Sequence, residues 1–203
     1  MSLQPFLDAI FKTPEAIGTV ALIRRYGSKC SSFIEFGTRG GASTIIAFQA
    51  LLDAPKSAWA PRFVGVDLVS DESIKNLQLL ASKSNISFQF WQGHTKNYPV
   101  HQADALLWDT FHCGGNLLFD LGRIAPHIQK YIFILGTNMD GPQSEAVRRG
   151  LDIVQVAKEL HIDEAGVRQG LKAAITEFVT KNPDWNVVSE YAEITILERR
   201  TKT

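Results

Sequence analysis

SFIEFGTRGGAST, Ser32 to Thr44, is the stretch on which the reading of the whole chain turns. A short apolar run, Phe33 to Phe36, carries one carboxylate at Glu35, meets glycines at 37, 40 and 41, and leaves into a helical pattern from Ser43 to Leu52. Residues without a Cβ allow positive φ and let a ligand approach the main chain closely. In doubly wound sheets the first strand-to-helix turn is where ligands touch the backbone. The spacing narrows the ligand. A dinucleotide turn is G-x-G-x-x-G, whereas this one is Glu35-x-Gly37-x-x-Gly40-Gly41-x-Ser43, and no Gly-Lys-Ser/Thr is present for a phosphate-binding loop.

Outward from this turn the chain alternates. Phe33–Phe36, Phe63–Val66, Ile86–Phe90, Ala105–Trp108 and Tyr131–Leu135 are β-branched or aromatic runs, and helical patterns lie at 43–52, 72–81 and 116–124. Strands apolar on both faces, separated by helices, predict a parallel sheet covered on both sides, an α/β architecture. Upstream, Thr13-Pro14-Glu15 has the chemistry of a helix start, with Gly27 as its stop. Downstream, two helices are expected at about 143–160 and 163–181, the second capped by Asp163 and striped by Val167, Leu171, Ala174, Ile175 and Phe178. Trp185–Val188 and Ile194–Leu197 then read as an antiparallel hairpin. The 203 residues suit one domain: an N-terminal helical segment (1–28), an α/β core (29–140), and closing helices with a hairpin (141–203).

The 21 basic and 21 acidic residues cancel, so no overall field draws in nucleic acid or an anionic membrane. A small, roughly neutral partner is favoured, and the sequence permits a homodimer. There is no apolar run of membrane-spanning length and no signal-peptide pattern, so a cytoplasmic location is expected. Cys30 and Cys113, without a CxxC, read as buried thiols.

Asp67 closes the second strand, in FVGVDLV. As an acceptor-only group it suits the two hydroxyls of a ribose, although the same residue could simply cap the next helix. Glu35 would stand where a cofactor's cationic end could meet it, or be a solvated strand-end acid.

FIEFGTRGGAST followed by FVGVDL resembles the first two cofactor motifs of class I S-adenosylmethionine-dependent methyltransferases. More narrowly, the chain is similar to a small branch of that superfamily that pairs an E-x-G-x-x-x-G-x-S turn with an "IDTxH" strand end. LLWDTFHCGGNLLFDLGRIAPHIQKYIFIL resembles that branch's fourth and fifth strands, and GLKAAITEFVTKNPDWNVV with EITILERR its closing helix and hairpin; the likeness spans about residues 13 to 200. It implies a Rossmann-like, seven-stranded, mostly parallel sheet with a C-terminal antiparallel hairpin and helices on both faces. It also implies S-adenosylmethionine as cofactor, with contacts at Glu35, Gly37, Thr38, Gly41, Ser43, Asp67, Gly93 and His94, and methyl transfer to a small-molecule acceptor.

In that fold the end of the fourth strand faces the transferred methyl, which places Asp109 and His112 there as catalytic candidates. Histidine is the better base, since its unperturbed pKa is about 6.5; a strand-end cap is the plain alternative. Several oxygen-methylating relatives hold a divalent cation between acids at the ends of strands four and five. Where the branch has His-Asp-Thr at the fifth strand end, this chain has Leu135-Gly136-Thr137, and Asp140 is displaced by several residues. Too few donors remain in sequence register, and no metal is expected. Gln92-Gly93-His94 replaces Glu-Gly-Asp, and Gly114 to Asn116 replaces Tyr-Gly-Gln. The cofactor half is kept and the acceptor half altered.

That alteration leaves a second class open, a catalytically degenerate cofactor-binding protein acting as a sensor or non-catalytic subunit. A third is raised by IVQVAKELHIDEAGVRQGLKAA, where Ala157, Leu160, Ile162, Val167 and Leu171 have helix-turn-helix spacing. Arg168 and Lys172 against Asp163 and Glu164 make no phosphate-seeking face, so an amphipathic pair packed on the sheet is preferred over a DNA reader.

Overall fold

A computed structural model describes residues 3, 7–8, 11–55 and 58–200; the rest of the expected N-terminal segment lies outside them. The strands are β1 (Ser32–Phe36), β2 (Arg62–Asp67), β3 (Ser87–Gln92), β4 (Ala103–Trp108), β5 (Ile128–Leu135), β6 (Trp185–Tyr191) and β7 (Ile194–Arg199), in one seven-stranded sheet of order β3-β2-β1-β4-β5-β7-β6. β1 to β5 pair in parallel, and β7 runs antiparallel to both β5 and β6. The order reverses between β1 and β4, so a crevice opens beyond their carboxyl ends.

Helices cover both faces because the strands bury side chains on both. On one side α1 (Pro14–Gly27), α2 (Ala42–Asp53) and α3 (Glu72–Lys83) pack over Phe33, Phe63, Leu107 and Phe133. On the other, α4 (Gly114–Ile124) and α8 (Leu171–Lys181) pack over Ile34, Phe36, Leu106, Trp108 and Ile132. The period of two in β1 therefore sets Phe33 and Glu35 toward α2 and Ile34 and Phe36 toward α4. Thr13 caps α1 through Ala16 N, with Pro14 in the first turn, as its sequence predicts.

The last third departs from expectation. Instead of two long helices there are four short ones: α5 (Glu145–Arg148), α6 (Ile153–Leu160), α7 (Glu164–Arg168) and α8. Asp152 restarts the chain as the cap of α6, accepting from Val154 N and Gln155 N, and Asp163 caps α7 through Gly166 N. The expected stripe is buried but divided, Val167 on α7 and the other four residues on α8. Only α8 lies on the sheet; α6 and α7 meet each other around Ala157, Val167 and Ile162 and rest on α4, where the backbones of Gly115 and Gly166 nearly touch. The helix-turn-helix spacing is thus spent on a small satellite core, a correction to the sheet-packed pair. Cys30 and Cys113 are free and buried. No helix among the described residues is long and apolar enough to cross a membrane.

Candidate active site

The turn after β1 is tied to both neighbouring strands. Gly37 N donates to Val66 O, and Asp109 N donates to Phe36 O. Gly37 sits at φ +89°, and a Cβ there would lie 2.0 Å from the carbonyl oxygen of Asp109. Only glycine permits both that dihedral and that approach. Asp67 closes the unit: its Oδ2 accepts from Arg39 N at 2.8 Å and its Oδ1 from Val69 N at 3.1 Å. A carboxylate has about four acceptor positions, so two remain for a diol.

Beyond these strand ends lies a cavity of about 200 Å³ lined by Gly37, Arg39, Asp67, Gly93, His94 and Asn116, among others. His94 Nδ1 accepts from Lys96 N at 3.2 Å, which leaves the proton on Nε2. Burial, with Lys96 and His161 nearby, holds its pKa below the usual value, so it faces the cavity as a neutral donor. Asn116 spends its amide hydrogens on Thr110 Oγ1 (2.9 Å) and Phe111 O (3.3 Å), while its Oδ1 is buried without a partner. A buried acceptor left open costs free energy until an N–H reaches it. Arg39 lies across the mouth, its Nη2 3.3 Å from Thr110 O.

Of the eight residues assigned to the cofactor, Gly37, Asp67, Gly93 and His94 line this cavity. Glu35, Thr38, Gly41 and Ser43 stand outside its lining. Glu35 is fully buried on the α2 side, where Ser43 Oγ donates to Oε1 (2.6 Å) and Thr44 Oγ1 to Oε2 (2.5 Å). Burial, joined by the charges of Asp109 and Asp67, pushes it up to about 8 against those two hydrogen bonds. Glu35 is therefore not a solvated acid, it stands outside the cavity's lining, and Ser43 is its partner. Gly41 caps α2 in the left-handed conformation, and Thr38 Oγ1 is buried without a partner.

The reactive end is a charged network. His112 Nε2 is 3.2 Å from Asp109 Oδ1, and Nδ1 is 2.8 Å from Asp140 Oδ2. Arg148 donates from Nε to Asp140 Oδ1 (2.6 Å) and from Nη2 to Oδ2 (3.3 Å). Glu145 accepts from His112 N (3.2 Å) and from Arg149 Nη1 (2.7 Å). Burial opposes charge on His112, but the two aspartates outweigh it and raise its pKa. Asp140 is likewise disfavoured by burial, yet Arg148 and His112 hold it below the usual carboxylate range. With both ring nitrogens committed, His112 has no free lone pair to offer. Asp109 Oδ2, by contrast, carries no hydrogen bond among the described residues.

Asp140 is not out of reach either. The loop after β5 folds back, Asp140 N bonding to Gly136 O, and brings the carboxylate under His112. Gly136 is what admits the ring: at φ +74°, a Cβ there would sit 2.2 Å from His112 Cε1. The gap at Leu135-Gly136 is filled from the neighbouring strand end. The sequence reading set Asp140 aside as displaced and missed Arg148 and Glu145, and also Asp120, which accepts from Trp108 Nε1 (2.9 Å) and Thr95 Oγ1 (3.1 Å). Arg39 lines both the cavity and an adjoining charged recess formed with His112, Met139, Asp140, Arg148 and Glu193.

No protein-family model matches the chain, and no curated protein matches its sequence. Solved structures share the fold. A Podospora anserina methyltransferase, PaMTH1, bound to S-adenosylhomocysteine, matches with a TM-score of 0.53 at 14% identity over 96% of this chain and 82% of its own. The ribosomal protein L11 methylase of Lactobacillus delbrueckii subsp. bulgaricus matches with a TM-score of 0.52 at 14% identity, over 94% and 81%. An O-methyltransferase from Bacillus cereus, in complex with S-adenosylhomocysteine, matches at 0.50 and 14%, over 98% and 89%. The chain has the fold of the class I methyltransferases.

Proposed function

We propose that the protein is an S-adenosylmethionine-dependent methyltransferase acting on a small-molecule acceptor. The observation that carries this is the convergence of Asp67, neutral His94 and Asn116 on one cavity at the switch point of the sheet, with Asn116 Oδ1 buried and unpartnered behind it. An acid for a ribose, a donor, and a buried acceptor for an amine are what an adenosyl group requires. That two structural neighbours are described with S-adenosylhomocysteine agrees with this ligand. Likeness of fold does not name the acceptor, since a ribosomal protein methylase shares it.

When bound, the cofactor supplies an electrophilic methyl on a sulfonium, transferred with the C–S bonding pair leaving on sulfur. The protein's residues do the rest. Asp67 and Gly37 fix the adenosyl end, and Arg39 separates the cavity from the charged recess in which the acceptor is placed. Asp109 receives the proton of an acceptor hydroxyl or amine as its lone pair attacks the methyl. His112 orients that carboxylate through Nε2, with Asp140 holding the ring from the other side. Radiolabelled methyl transfer over an acceptor panel, with and without chelator, tests the reading. Cofactor binding with no transfer to any acceptor would favour the non-catalytic alternative instead.

A further inference from the structure

The acids at the ends of β4 and β5 are where metal-using relatives of this fold place a divalent ion, so the fit of such an ion can be examined on this chain's own atoms. Ligand-type atoms of His112, Asp140 and Glu145 lie within 4.8 Å of one another, a spread compatible with a common centre. Their commitments are not. Both oxygens of Asp140 accept from Arg148, one of them also from His112, and Glu145 accepts from Arg149 and from His112 N. His112 bonds carboxylates through both nitrogens. An incoming dication would have to displace a guanidinium and expel the imidazole proton.

Charge gives the same answer. Arg148 and Arg149 set two fixed positive charges beside Asp140 and Glu145, and the His112 ring bonds Asp109 and Asp140. The carboxylates are partnered without any ion. Arg148 lines the recess with its side chain about one-third exposed, whereas that of Asp140 is almost wholly buried.

We infer that Arg148 is the resident cation of this site: its guanidinium occupies the position open to a divalent metal and excludes that metal. This goes beyond the methyltransferase reading and holds whether or not methyl transfer occurs. The expectation of no metal thereby rests on an occupied site rather than on missing donors.

The test is a titration with Mn²⁺ alone, read by the loss of the free-ion electron paramagnetic resonance signal, with no cofactor or acceptor present. Wild type is expected to leave the signal of the free ion unchanged at equimolar Mn²⁺. Arg148→Ala and Arg148→Gln, checked for folding by thermal melts, are expected to bind one Mn²⁺ per chain, about 10–100-fold more tightly than wild type. Adding Asp140→Asn should abolish that binding and so locate it. A wild-type protein that binds Mn²⁺ as tightly as the variants, or folded variants that bind no better than wild type, overturns the inference. Because the readout is metal uptake, its failure is separate from any failure to bind S-adenosylmethionine.

Discussion

Arg39 and Asp67, one in the turn after β1 and the other at the end of β2, are joined by a backbone N–H to carboxylate bond of 2.8 Å. The glycine turn and the acid closing β2 are thus a single preorganised unit, held before any ligand arrives. On the proposed reading Asp67 has two tasks, shaping the turn and meeting the ribose.

Asp67→Ala should weaken cofactor binding by about 1.5–3 kcal/mol, the range for a hydrogen bond to a charged group. Asp67→Asn keeps an acceptor for Arg39 N and should recover part of the loss. Calorimetric affinities decide this, and equal affinity in wild type and Asp67→Ala removes the ribose role.

Glu35 makes stability depend on pH. It is held up to about 8 in the fold against 4.5 as the ordinary value, so the native state keeps a proton that the unfolded chain releases across that interval. Its contribution to stability is full below about 4.5 and is lost as pH rises through about 8, with a limiting slope of about 1.4 kcal/mol per pH unit. Glu35→Gln should flatten this part of the profile. Urea midpoints from pH 5 to 8.5 would show it, and parallel profiles for the two proteins would refute the assignment.

His112→Ala removes the group that orients Asp109 from 3.2 Å. Turnover at saturating cofactor and acceptor should fall by about tenfold to a hundredfold, the usual cost of a misplaced reacting group. Cofactor affinity should stay within about threefold, since the ring does not line the cofactor cavity. An unchanged rate would take His112 out of the mechanism.

Gly37 and Gly40 make an internal control. Gly37→Ala forces an unfavourable φ and a Cβ onto the Asp109 carbonyl, so it should destabilise the fold by more than about 2 kcal/mol. Gly40→Ala meets nothing within 4 Å and should leave the melting temperature nearly unchanged. Thermal melts of the two proteins read the difference directly; a tolerated Gly37→Ala would mean that the turn is not the rigid element described.

The parts visible from sequence were those set by local pattern. Strand runs, the Thr13 and Asp163 caps, and the acids closing β2 and β4 all follow from alternation and from residues adjacent in the chain. The burial of Glu35 was not drawn from the sequence although the signal was there. Its parity with Phe33 puts it under α2, where Ser43 and Thr44 wait, rather than over the cavity. Asp140 and Arg148 carried no such signal, because an irregular loop and a four-residue helix bring them to His112, and neither has a period. The break between α5 and α6 was likewise hidden inside an apolar pattern long enough for one helix.

Isothermal titration of S-adenosylhomocysteine into the folded wild-type protein tests the central claim most directly. The account predicts saturable binding of one ligand per chain, lost or strongly weakened in Asp67→Ala. No heat of binding with that ligand or with S-adenosylmethionine, in protein shown to be folded, would contradict it.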